Sequence, residues 1–312
     1  MYDVFSYLPT KVNSGWLLTG YTFARLRTLI AGERLVLPVC SLGTPVEELS
    51  RLGPLVLPPL YHEAMDESLK SSLLDRISAC FPYFQGTAAR EEFDGRLDIV
   101  ELPRRSFSAP DERPLAAFSV DTAVEQHGPH LPLMTDTLQS YGVLARLAAE
   151  NPDLGLVPPV EYGHLTWGLP FGLSIDITPP LLTQYVAGFI DALRRWRKPK
   201  AVYVVDVHGS PVHRAAVEAG IDSAGCRTTA FRWLYEPLGE VSADRGDQHA
   251  GGVETALIEL INPDMIDGDW WPDRIEELVR GETPLEKAVE LSNDLARFIA
   301  FVEESDLNGI VG

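Results

Sequence analysis

Glu125, His127 and Asp136 lie within one twelve-residue run, Glu125-Gln126-His127-Gly128-Pro129-His130-Leu131-Pro132-Leu133-Met134-Thr135-Asp136, whose Gly and Pro residues turn the backbone. Two carboxylates and an imidazole gathered in this way can hold a divalent ion. The apolar approach Leu115-Ala116-Ala117-Phe118-Ser119-Val120 reads as a strand. If that strand runs on to Glu125 and His127, residues two apart share one face and both side chains reach a single ion. Thr135-Asp136 opens a stretch of helical periodicity, so Asp136 is expected near a helix start, where an ionised carboxylate is favoured. Mixed nitrogen and oxygen donors suit zinc, manganese or ferrous iron better than calcium or magnesium. Any one of these residues alone would more often be a hydrogen-bonded loop His, a surface acid or a helix cap. The clustering is what argues for a site.

Two later segments supply partners. Lys200 to Val207 is almost continuously apolar and β-branched, the pattern of a strand buried on both faces of a parallel sheet, and it stops at His208-Gly209-Ser210-Pro211. The carboxyl ends of such strands are where open α/β sheets place their ligands, which makes His208 a candidate. Gln248-His249-Ala250-Gly251-Gly252-Val253-Glu254-Thr255 precedes a helix ending near Asn262-Pro263, and its glycines let His249 and Glu254 turn into the same cleft. Taken singly, His208 reads as a strand-end hydrogen bonder, His249 as a turn residue and Glu254 as a solvated first-turn carboxylate.

The blocks Glu125 to Pro132, Asp206-Val207-His208-Gly209 and His249 to Thr255 resemble the three signature blocks of the creatininase family of metal-dependent amidohydrolases. Between them, Pro159-Val160-Glu161-Tyr162-Gly163-His164 and Leu169-Pro170-Phe171-Gly172-Leu173-Ser174 are similar to that family's Tyr-Gly and Phe-Pro-Gly-Thr segments. The resemblance covers residues 113 to 265 and agrees in order and spacing. It implies a three-layer α/β/α fold with a mainly parallel sheet, in which one or two divalent ions activate water against an amide carbon–nitrogen bond. It assigns Glu125, His127, Asp136 and His208 as metal ligands, with Asp136 in the bridging place. His249 falls at a position proposed for proton transfer, with Glu254 beside it as a ligand or supporting group. It also suggests a homo-oligomer, often a hexamer.

This chain departs from the family pattern at several points. Where the creatinine-hydrolysing branch has a Glu two residues after the strand-end His, completing a second metal site, this chain has Ser210. Asp206-Val207 replaces Asn-Gly before that His, so Asp206 is either a substitute carboxylate or a group that orients the ring. Trp167 stands where many members have a His.

A divalent ion at such a site lowers the pKa of a bound water from about 16 toward ~7 and polarises the amide carbonyl. The leaving nitrogen needs a proton, for which His249 is the candidate, since general acid catalysis typically contributes ~100- to 10,000-fold. Tyr162, Trp167 and Trp233 could wall a planar substrate, although any one of them reads more readily as core. Two further readings stay open: the same site opening a lactone or doing other non-amide chemistry, and an inactive homologue serving as a binding or scaffold subunit.

The elements that must position these residues are those of an α/β enzyme. The chain has 312 residues, 45% hydrophobic and 23% charged, an ordinary globular composition. A net charge of −19 argues against nucleic acid and anionic membranes as partners; the partner that the resemblance implies is a small-molecule amide. Cys40, Cys80 and Cys226 are odd in number, widely spaced and fit reduced thiols. With Met1-Tyr2-Asp3-Val4-Phe5 showing neither the basic region nor the apolar stretch of a secretory signal, the chain is expected to be cytoplasmic.

Residues 1–110 form an α/β extension, read as scaffold, lid or interface, and 111–312 the hydrolase domain, with the polar Ser106 to Pro114 as boundary. Within the extension, Leu55-Val56-Leu57-Pro58-Pro59-Leu60-Tyr61 faintly echoes Val157-Pro158-Pro159-Val160-Glu161-Tyr162. Thr178-Pro179-Pro180 predicts a helix start, followed by Leu181, Leu182, Tyr185, Val186, Phe189, Ile190 and Leu193 on one face. A second amphipathic helix is expected over Pro284 to Glu304.

Overall fold

Strands β5 (Leu115–Ser119) and β7 (Ala201–Asp206) are buried at every position, as apolar strands between two helical layers must be. In the computed structural model, which describes residues 18–267 apart from 23–24, 27–28, 31, 54, 82–94, 110–112, 166–168, 170–171 and 237–248, they are the centre of a four-stranded sheet. Its order is β6 (Leu154–Leu156), β5, β7, β8 (Thr229–Trp233), and every pairing is parallel. Alternate residues feed two cores. Ala116, Phe118, Val202 and Val204 face one, shared with helices α3 (Pro179–Arg197) and α4 (Pro211–Ser223). Leu115, Ala117, Ala201, Tyr203 and Val205 face the other, shared with α2 (Thr135–Glu150) and α5 (Gly252–Ile261). The result is the three-layer α/β/α arrangement.

Helix α3 shows how local signals and burial combine. Thr178 is its extended N-cap residue and Pro179 and Pro180 open its first turn. Leu182, Tyr185, Val186, Phe189, Ile190 and Leu193 are all buried on one side. At about 1.5–3 kcal/mol per fully buried large apolar side chain, that face easily outweighs the cost, about 1–2 kcal/mol, of ending the helix on Lys198 at φ 55.

The amino-terminal region builds a second parallel sheet around β1 (Arg34–Cys40), which pairs with β2 (Leu55–Val56), β3 (Leu60–Tyr61) and β4 (Arg96–Glu101). Its register repeats that of the first sheet. Leu35 pairs with Leu55 and Val39 with Leu60, as Ala116 pairs with Gly155 and Val120 with Val160. Leu35 also pairs with Leu97 as Ala116 does with Val202. The faint sequence echo around Pro58-Pro59 and Pro158-Pro159 thus corresponds to a repeated strand arrangement.

Both sheets share a core with α3. The Tyr61 amide donates to the Tyr185 hydroxyl at 3.1 Å, and Gly188 allows a backbone approach so close that a Cβ there would stand 1.9 Å from the Ala64 carbonyl oxygen. Helix α1 (Glu67–Cys80) packs on this side, its amino end capped by Asp66, whose carboxylate accepts the Leu69 amide.

One expectation is corrected. Strand β5 ends at Ser119, so Glu125 and His127 do not extend it. The chain beyond Val120 is instead held by other loops: the Asp121 and Ala123 amides donate to the Val160 and Glu161 carbonyls, and the Ile175 amide donates to Val124. The helix expected over Pro284 to Glu304 lies outside the described residues. Among the described residues no helix is long and apolar enough to cross a membrane, and Cys40, Cys80 and Cys226 are free and buried.

Candidate metal centre

Past β5 the chain turns its polar side chains inward. Glu125 and His127 are almost wholly buried, and Gly128, at φ 62, reverses the backbone after them. Asp136, in the first turn of α2, is buried opposite them, and His208 follows β7. Asp136 presents one carboxylate oxygen to each imidazole: Oδ1 lies 3.2 Å from His127 Nε2 and Oδ2 lies 3.1 Å from His208 Nδ1. Glu125 Oε2 lies 3.1 Å from the same His208 nitrogen. The Thr122 hydroxyl sits among them, 2.8 Å from Asp136 Oδ2, 3.2 Å from His208 Nδ1 and hydrogen-bonded to Glu125 Oε2.

Backbone carbonyls fix both rings. His127 Nδ1–H donates to the Glu125 carbonyl at 3.1 Å, and His208 Nε2–H donates to the His164 carbonyl at 3.2 Å. In each case the second nitrogen is turned to the carboxylates, the arrangement by which histidine ligands are oriented. Glu125 Oε1 is buried with no hydrogen-bond partner among the described residues. An orphaned carboxylate oxygen beside two oriented imidazoles and a second carboxylate is a donor set that fits zinc, manganese or ferrous iron.

Without an ion, protons fill the role. Burial would lower the His127 pKa, but Asp136, Glu254 and Glu125 outweigh it and push it up to about 10. His208 is likewise raised well above its usual value, against burial, by Glu125 and Asp136. Asp136, which burial alone would raise, is held well below the carboxylate range by His127 and His208. An ion binding there must displace the inward-facing proton of His127, so competition weakens and affinity rises as pH increases toward about 10, and the upward shift of His208 acts in the same direction. Calorimetry at pH 7 in two buffers of different ionisation enthalpy should report release of protons on ion binding. Release of none would show that the ion binds elsewhere.

His249 and Glu254 stand on the His127 side. His249 Nε2–H donates to the Gln126 carbonyl at 2.7 Å, which leaves Nδ1 facing Glu125 Oε1 at 3.8 Å. Glu254, in the first turn of α5, accepts the Ala250 amide on Oε2 and Gln139 at 3.3 Å on Oε1, which lies 3.8 Å from His127 Nε2. It is largely enclosed rather than solvated, and burial raises its pKa against the pull of His127 and His249. Donor atoms of His127, His249 and Glu254 all lie within 4.8 Å of one another, as do those of Glu125, His127 and Asp136. All six candidate residues are therefore brought together.

The suggested pocket walls fare differently. Tyr162 is core: its ring is fully buried and its hydroxyl donates to the Pro58 carbonyl at 2.8 Å, because the amino-terminal sheet covers it. Trp233 is half-buried beside the centre, donating to the His208 carbonyl at 2.9 Å and stacking on Tyr235. Trp167 lies outside the described residues.

Ser210 is the N-cap of α4, its hydroxyl accepting the His213 amide. Asp206 accepts the His208 amide at 2.8 Å, so it orients the chain at His208. His130 bonds Thr255, and burial lowers its pKa to about 4. Sequence reasoning missed Thr122, Gln126, Gln139 and the carbonyl of His164. Only His164 carried a signal, its place directly after Tyr162-Gly163.

Residues 114–297, more than half of the chain, match the family model Creatininase, described as creatinine amidohydrolase. The chain belongs to the creatininase family. Membership makes it a hydrolytic enzyme of a metal-dependent amidohydrolase family. A mycofactocin precursor peptide peptidase of Mycolicibacterium smegmatis is 29% identical over 210 residues, 65% of this chain and 71% of that protein. The one of Mycobacterium tuberculosis is 28% identical over 158 residues, 48% of this chain and 59% of its own length. The solved structure "Creatininase Mn" is 19% identical with a TM-score of 0.49, covering 59% of this chain and 90% of that one.

Proposed function

We propose that this family member cleaves an amide carbon–nitrogen bond at a centre where Glu125, His127, Asp136 and His208 hold one or two divalent ions. The observation that carries this reading is the convergence of Asp136 on both imidazoles, one oxygen to each, with both rings fixed by backbone carbonyls. An ion held there supplies an acidified water and a Lewis acid for the amide carbonyl. Thr122 holds the Glu125 and Asp136 carboxylates together, and the Gln126 carbonyl fixes the His249 ring. His249, its ring held by the Gln126 carbonyl beside Glu125, is the candidate to give a proton to the leaving nitrogen. Trp233 borders the substrate at His208, and the amino-terminal sheet, which shares a core with α3, serves as a scaffold. The names of the two curated relatives favour a linear peptide over a cyclic amide.

The test is a panel of short peptides, formamides, cyclic amides and lactones offered to chain stripped with chelator and reloaded with zinc, manganese or ferrous iron. Peptide or amide hydrolysis that disappears with the ion and returns with it is expected. Turnover of lactones with no amide cleaved would replace this reading with ester chemistry.

A further inference from the structure

A chain of contacts links the amino-terminal region to a metal ligand. Arg76, on α1, donates from Nε to the Asp176 backbone carbonyl at 3.0 Å, and its guanidinium is also paired with the Asp176 carboxylate through Oδ2. Asp176 is buried. Its other oxygen, Oδ1, accepts the Leu165 amide at 2.8 Å and the His164 ring, through Nδ1–H, at 2.9 Å. The Ile177 amide donates to the Gly163 carbonyl at 2.9 Å, so the segments around 164 and 176 are tied at three points. From the other side, the His164 amide donates to His213 Nδ1 at 3.0 Å, and His213 Nε2–H donates to the Val120 carbonyl at 3.1 Å. The carbonyl of His164, thus fixed, accepts His208 Nε2–H.

Guanidinium is suited to this task. Its planar fork reaches a carboxylate oxygen and a main-chain oxygen of the same residue, setting the orientation of Asp176 as well as balancing its charge. The side chain comes from outside the span that the family model matches, which begins at residue 114.

We propose that Arg76 is a positioning residue for the metal centre: through Asp176 it holds the His164 carbonyl where it locks His208 with Nδ1 toward Glu125 and Asp136. The proposal rests on the metal-centre reading above. Groups that orient ligands in this manner typically alter metal affinity by roughly 10- to 100-fold. The amino-terminal region therefore contributes to the affinity of a site whose four proposed ligands all lie outside it.

The experiment measures zinc and manganese affinity of the full chain by competition with a chromogenic chelator, for wild type, Arg76→Ala, Arg76→Gln and Arg105→Ala. Arg105 pairs with Glu48 in the same region and serves as a control for charge removal. Arg76→Ala and Arg76→Gln are expected to bind roughly 10- to 100-fold more weakly, with Arg105→Ala unchanged. Added guanidinium should restore affinity to Arg76→Ala alone. The 15N shifts of the His208 ring should also change from the Nε2–H form to a mixture of tautomers in the ion-free variants at high pH, which loss of global stability alone would not produce. If Arg76→Ala fails to fold, Arg76→Gln, of similar length, carries the same expectation. A folded Arg76 variant with wild-type affinity and an unchanged His208 signature overturns the proposal. Wild-type chain that binds no ion would overturn the metal reading itself.

Discussion

Alanine at Glu125 or at His208 is expected to abolish ion binding and to reduce amide hydrolysis by more than roughly 100-fold. Each substitution removes a donor whose atoms lie 3.1 Å from each other at the heart of the cluster. The stability signature separates this from damage to the fold. In the ion-free chain Glu125 Oε2 is hydrogen-bonded to Thr122 and faces His208, so either substitution also breaks a buried pair, at about 3–5 kcal/mol. Thermal unfolding of both folded variants should therefore lie below that of ion-free wild type and should not rise when zinc or manganese is added, whereas wild type rises. Elemental analysis with a thermal scan checks both points. Variants that retain wild-type metal content and activity would contradict the assignment.

Gly163→Ala is expected to be the most damaging single methyl in the site. A Cβ there would stand 2.4 Å from the His213 ring and 2.6 Å from Thr122 Cγ2, and neither can retreat. His213 is fully buried between the His164 amide and the Val120 carbonyl, with burial lowering its pKa to about 3, so it is neutral and bonded at both nitrogens. Thr122 holds the two carboxylates. Overpacking of this kind costs about 1–3 kcal/mol, and the broken hydrogen bonds add about 1 kcal/mol each. We expect a loss of roughly 2–4 kcal/mol in urea unfolding together with weaker metal binding, because His213 and Thr122 move together. Wild-type stability and affinity in this variant would mean that the loop relaxes freely and does not hold the ligands.

The four proposed ligand residues are legible in the sequence because three of them sit in one short run and the fourth follows a strand whose apolar pattern is unmistakable. The three-layer arrangement follows from that same pattern, continued through α3 and β7. What escapes is set by contacts between distant segments. The end of β5 depends on loops from 160–161 and 175 that pair with the chain beyond Val120, and nothing within 120–127 announces them. Thr122 carries no spacing signal, since one hydroxyl gains its role only where three ligand side chains converge. Tyr162 looks like a pocket wall beside Gly163 and His164, yet its fate is decided by the Pro58 carbonyl, 104 residues away. Gly163 similarly reads as part of a motif, while its physical reason is the ring of His213.

The most direct test of the central claim is diffraction from crystals of the chain soaked in zinc or manganese, recorded on either side of the metal's absorption edge. The account predicts an anomalous peak within about 2.0–2.3 Å of carboxylate oxygens of Glu125 and Asp136 and of His208 Nδ1, with or without a second peak on the His127 side of Asp136. A strong peak elsewhere, with these side chains still hydrogen-bonded to one another, would contradict it.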